Sequence, residues 1–171
     1  MKKIILTLAF LFVATGFSMA QKYALVDMEY ILKNIPDYEM MNQQLEEVSK
    51  KWQSEIEALE NKAQTLYKKY QGELVFLSAE QKKAREDEIV SIEKQAAELK
   101  RKYFGPEGEL FNKRSDLMKP IQDEVWEVIR DLAKAKGYQM VLDRSTSGIV
   151  FANPAIDISA DVLAKLGFSK K

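Results

Sequence analysis

Residues 38–77 read YEMMNQQLEEVSKKWQSEIEALENKAQTLYKKYQGELVFL, and their apolar members fall at Tyr38, Met41, Leu45, Val48, Trp52, Ile56, Leu59, Ala63, Leu66, Tyr70, Leu74 and Leu77. Eleven steps over 39 residues give a period of about 3.55, between the supercoiled value of 3.5 and the free-helix value of 3.6. Neither glycine nor proline interrupts the stripe between Asp37 and Gln71. A second stripe follows at Ile89, Ile92, Ala96, Leu99, Tyr103, Leu110 and Leu117. Between them, Ser78-Ala79-Glu80-Gln81 has the form of a capping box, with Ser78 as cap and Gln81 reaching back. One helix ends and another begins within two or three residues, so the two are expected to fold back antiparallel. Each limb of about 39 residues then extends roughly 58 Å at 1.5 Å per residue.

Pro36 and Asp37 suit the first turn of the long helix, since proline gives up an unpaired N–H and aspartate faces the positive end of the dipole. Gly72 costs the far end roughly 1 kcal/mol relative to alanine. Counting outward from the turn pairs residue 38 with about residue 119, so Ile121–Lys136 continues past the base of the hairpin to Gly137, a C-terminal stop. Tyr23–Val26 reads as a short strand, and Tyr138–Leu142 with Ile149–Phe151 as a hairpin across Arg144–Gly148. Ser159 is the expected cap of a closing helix stopped by Gly167. The expected fold class is therefore mainly α with a small β body (α+β): a helical arm over residues 38–118 and a body built from residues 21–37 and 119–171. Such a body has a marginal core and open sheet edges, and both problems ease if copies of the chain associate through their strands.

The first twenty residues have the form of an export signal. Lys2 and Lys3 precede the apolar run Ile4–Val13, and Ser18-Met19-Ala20 presents small residues for cleavage after Ala20. The chain has no cysteine, which excludes disulfides and lipid attached through an N-terminal cysteine. Export without disulfides suits a bacterial envelope compartment. Basic and acidic residues number 26 each; removing Lys2 and Lys3 leaves 24 against 26, a net charge of −2. That balance argues against a nucleic-acid binder and gives no general attraction to anionic lipid.

Histidine is absent too, which removes the usual proton shuttle and most zinc sites. Glu86-Asp87-Glu88 sits among Lys82, Lys83, Arg85 and Lys94 and reads as a solvated helix face. Asp27 and Asp143 follow strands without any third catalytic partner, so turn and strand-end roles are expected. The chain is not expected to be an enzyme or to carry a cofactor or metal. Gly105-Pro106-Glu107-Gly108 falls mid-helix and reads as a kink or short break. One further pattern is a heptad of Val90, Ala97, Phe104, Phe111 and Met118, each one place after a stripe residue and so about 100° round the helix from the seam. Tyr67, Val75 and Phe76 are similarly off the seam of the first helix. Two accounts remain open: the lower members pack into the body and the upper ones are scattered exposed residues, or the set forms a lightly apolar face for gripping a greasy partner.

Across the whole mature sequence the chain resembles the Skp (OmpH-like) periplasmic chaperone family. The resemblance is carried by Tyr23–Asp27, Ile35-Pro36-Asp37-Tyr38, Trp52–Ile56, Leu77–Gln81, Lys119–Gln122, Gly137–Asp143 and Phe151–Pro154 with Asp157–Ser159, in their order and spacing. It implies a jellyfish-like homotrimer, with three arms enclosing a cavity, that holds unfolded outer-membrane β-barrel proteins in the periplasm without ATP. On that reading Tyr67, Val75, Phe76, Val90, Phe104 and Phe111 are the candidate client-binding residues. Gly72, Gly105 and Pro106 are the candidates for arm flexibility. Better-known members are strongly basic and this mature chain is slightly acidic, so no lipid or lipopolysaccharide site is carried over. The competing function is a structural or adaptor coiled coil of the envelope with no client.

Overall fold

A computed structural model describes residues 22–168. The expected signal segment and its cleavage after Ala20 lie outside the described residues. The elements in chain order are β1 (Tyr23–Val26), α1 (Met28–Lys33), α2 (Pro36–Glu73), α3 (Ala79–Phe104), α4 (Glu109–Lys136), β2 (Met140–Asp143), a single 3-10 turn (Pro154–Ile156) and α5 (Ser159–Lys165). They divide into two compact units, Leu32–Trp126 and the segments on either side of it, and α4 runs through the second boundary.

The Leu32–Trp126 unit is a helical hairpin. Pro36 opens α2 at its first helical position, as its fixed φ and missing N–H favour. The stripe is the seam: Met41, Leu45, Ile56 and Ala63 are buried on α2, and Ile89, Ile92, Ala96 and Tyr103 on α3. Ile121 and Val125 continue the buried face on α4, which passes through Pro120 without ending. At the turn, the Gln81 amide donates to Ser78 Oγ at 3.2 Å and the Ser78 amide donates to Gln81 Oε1 at 2.9 Å, the reciprocal capping box expected there. The long helix stops at Glu73, four residues earlier than its apolar stripe. Leu74–Phe76 form a turn in which the Phe76 amide donates to the Glu73 carbonyl. Reversing direction needs those residues, so the last two stripe positions belong to the bend.

The second unit is organised around β1. Its Ala24, Leu25 and Val26 are buried on both faces, as a central strand requires. β2 pairs with it in parallel, in the register Tyr23 to Met140 through Val26 to Asp143. On the other edge Leu25 bridges Asp157, and the Ile158 amide donates to the Leu25 carbonyl at 2.8 Å. Ile31, Ile158, Val162 and Leu163 complete the core. Gly137, at φ 71°, ends α4 in the left-handed region; Gly137 donates to Lys134 and Tyr138 to Ala133, the doubled bond that closes a helix end.

Two expectations about this unit are corrected. Residues 138–142 and 149–151 do not pair as a hairpin; β2 pairs only with β1 among the described residues, and Val150 and Phe151 stand 101% and 86% exposed. The loop between them is held toward the β1 side, because Arg144 donates to both Asp27 (3.2 Å) and Asp157 (3.0 Å), so residues 149–151 do not return along the free edge of β2. Ser159 does not cap α5: Ile158 occupies the cap position without a side-chain bond. The Ser159 hydroxyl instead accepts from the Asp27 amide at 2.8 Å, joining the end of β1 to α5 across the chain. Ile56→Ala should lower stability by about 2–4 kcal/mol as a buried seam truncation, whereas Val90→Ala should stay within about 0.5 kcal/mol; urea denaturation of both variants checks this.

Candidate functional site

The hairpin carries its chemistry in how it places apolar side chains. Midway along the seam, Trp52 of α2 stacks on Tyr103 of α3 with ring centroids 4.6 Å apart and planes 4° from parallel. Phe104 meets Trp52 edge-on at 6.2 Å, and the Tyr103 hydroxyl donates to Glu55 at 3.0 Å. That hydrogen bond to Glu55, with burial next, pushes the Tyr103 phenol up from its ordinary value. A second tyrosine, Tyr70, reaches across the seam to Glu86 in the same manner. This aromatic clasp sits directly beside the break between α3 and α4.

The break is closely built. A Cβ on Gly105 would lie 2.3 Å from the Arg101 carbonyl oxygen, and one on Gly108 would lie 2.9 Å from three carbonyl oxygens, so both positions need glycine. Glu107 takes φ 57°, Asn112 donates to the Glu107 carbonyl at 3.1 Å, and Lys102 pairs with Glu109 across the break at 3.3 Å. Gly72 is different: a Cβ there meets nothing.

Of the six candidate contact residues, five are exposed. Val75 and Phe76, 82% and 85% exposed, are consecutive at the hairpin turn. Tyr67 and Val90 are about half exposed, and Tyr67 walls a shallow cleft of about 490 Å³ floored by Ala63, Ala96 and Ala97. Phe111 is 60% exposed on α4. Phe104 is the exception, half-buried in the clasp, because its heptad position comes at the last turn of α3 where the indole of Trp52 covers it. Trp126, 51% exposed, is a residue that the heptad count passes over, because it lies eight residues beyond Met118 rather than seven. Together Phe111, Met118 and Trp126 line a cleft of about 450 Å³ with Ser115 and Gln122.

Among the described residues no group of acidic side chains is arranged to hold a metal ion, and no helix is long and apolar enough to cross a membrane. The polar cluster at the end of the strands is a fastening. Asp143 accepts from the Met28 amide, from the Ser145 amide and hydroxyl, and from the Thr146 hydroxyl. Burial raises the Asp143 pKa, but these donors, led by Ser145, outweigh it and hold the carboxyl below its ordinary range.

Residues 22–166 match the family model of Outer membrane protein (OmpH-like). The chain belongs to the OmpH-like family. Within it, the chain is 26% identical over 155 residues to chaperone protein Skp of Yersinia enterocolitica, covering 90% of each. It is 24% identical over 152 residues to chaperone protein Skp of Pectobacterium atrosepticum, covering 86% of each. A crystal structure of an OmpH-like protein from Caulobacter crescentus shares the fold, with a TM-score of 0.71 over 87% of both chains at 12% identity.

In this OmpH-like chain the Asp143 fastening makes a pH forecast. A carboxyl held below its unfolded value contributes stability that is present above ordinary carboxylate pH and is lost as pH falls through the lowered value. Asp143→Asn should therefore be less stable than the native chain at neutral pH and should show a shallower loss of stability below about pH 4. Circular dichroism melts from pH 7 to pH 2 measure both.

Proposed function

We propose that this protein is a holdase chaperone of the periplasm, which binds unfolded outer-membrane β-barrel proteins without ATP and prevents their aggregation on the way to the outer membrane. The observation that carries this reading is the set of apolar side chains left exposed along the hairpin, led by Val75, Phe76 and Phe111. A hairpin whose role was spacing alone would gain solubility by replacing them. Family membership and relatives named chaperone support the same reading.

The grip is multivalent: Tyr67, Val75, Phe76, Val90 and Phe111 each offer a small apolar contact, and many weak contacts at high effective concentration hold a long unfolded chain while letting each segment leave. Phe104 contributes through the clasp. Gly72 and the Gly105-Pro106 break are the points at which the hairpin yields to clients of different size.

The reading includes association into a homotrimer through the second unit. The free edge of β2 and the exposed Val150 and Phe151 support it, since an open sheet edge and exposed apolar residues each favour association with another copy. Light scattering of the native chain should give three times the monomer mass, and Val150→Ser with Phe151→Ser should reduce it. The decisive measurement of function is turbidity. At stoichiometric amounts and without nucleotide, the chain should keep a urea-diluted barrel protein soluble; aggregation at the unassisted rate would instead mean a spacer.

A further inference from the structure

We infer that one strip of α4, formed by Phe111, Met118 and Trp126, is a principal contact within that multivalent grip, and that the strip takes extended segments with a single row of apolar side chains. This rests on the holding role proposed above and names the surface and the form of segment that it accepts.

At 100° per residue, Phe111, Ser115, Met118, Gln122 and Trp126 fall within an arc of about 80°. The buried Ile121 and Val125 lie about 100° and 60° from the middle of that arc, so the strip borders the buried face at its Met118 edge and turns away from it toward Trp126. Its apolar knobs are the exposed Phe111 and Trp126 with the half-buried Met118; Ser115 and Gln122 lie between them, with Arg114, Lys119 and Asp123 alongside. Lys119 and Asp123 pair at 2.7 Å and neutralise one another, so the net charge of the rim is the single positive one of Arg114.

The dimensions select the occupant. From Phe111 to Trp126 the strip is roughly 22 Å long at 1.5 Å per residue, and about 10 Å wide at most, the width of one helix. That area of about 220 Å² is roughly a quarter of the 800 Å² per partner typical of a stable protein–protein interface, too little to hold a second copy of the chain. An amphipathic helix presents an apolar stripe at least about 100° wide and needs a groove between elements. An extended chain with alternating side chains presents one apolar row on one side and polar groups on the other. That row repeats about every 6.8 Å, whereas the knobs are spaced about 10.5 and 12 Å. No register satisfies every knob, so contact is weak, tolerant of sequence and able to slide. Met118 adapts its unbranched side chain to whatever arrives, and Trp126 pairs a large apolar surface with an N–H donor.

Trp126 is also the reporter. The full chain is mixed with a urea-diluted barrel protein whose tryptophans have been replaced by phenylalanine, and indole emission is followed. A blue shift is expected in the native chain and none in Trp126→Phe, because Trp52 is already stacked on Tyr103. Phe111→Ser with Met118→Ser should raise the concentration needed for half-maximal holding about tenfold or more, with unchanged mass by light scattering. Three results would overturn the inference: no Trp126 shift while the client is held, equal holding by the double variant, or an altered assembly mass in that variant. Failure of the native chain to hold any client would instead overturn the functional reading itself.

Discussion

The whole hairpin depends on one seam. Most of the stability of a helix such as α2 comes from packing, because an apolar stripe along its length is removed from solvent. With only two helices, each side chain on the seam has few neighbours, so packing quality at particular points matters more than in a multi-helix core. The stacked Trp52–Tyr103 pair is the largest such point. It lies where the second limb loses its continuous backbone hydrogen bonding between Phe104 and Glu109, which is where lateral packing has most to supply.

The remaining surface follows from the same economy of contact. Outside the seam the helices carry charged residues of both signs, and pairs such as Lys50 with Glu46 and Arg85 with Glu88 lie along single helices. Exposed pairs of this kind contribute little to stability. Their consequence is a highly charged, nearly neutral surface on which a few apolar side chains stand out. Those side chains gain nothing from the fold, which is why the proposed function assigns them to client contact. A partner held by such scattered contacts needs no bond-making groups, and the second unit's polar cluster is occupied in joining Asp27, Asp143, Arg144, Asp157 and Ser159 across distant parts of the chain.

That second unit shows how a small core closes around one strand. β1 is buried on both faces while Met140 and Leu142 of β2 remain partly exposed, so the sheet is finished on one side and open on the other. The asymmetry arises because Arg144 and the Leu25–Asp157 bridge draw the C-terminal segments to the β1 edge. Val150 and Phe151 are left without a place in the core, and the opportunity for association follows from that.

Local periodicity was enough to read the seam, the capping box at Ser78, the start at Pro36, the stop at Gly137 and the break at 105–108, because each is set by residues within one or two helical turns. The off-seam positions of Tyr67, Val90 and Phe111 were legible for the same reason, since the angle round a helix follows from residue number, whereas Val75 and Phe76 are exposed because α2 ends before them and they lie in the turn. Other features were decided only by tertiary structure. The partner of β2, the role of Ser159, the loss of Phe104 to the clasp and the exposure of Trp126 all depend on groups far along the chain. A strand's pairing and a side chain's cover are properties of whatever arrives opposite, and no local pattern encodes that neighbour.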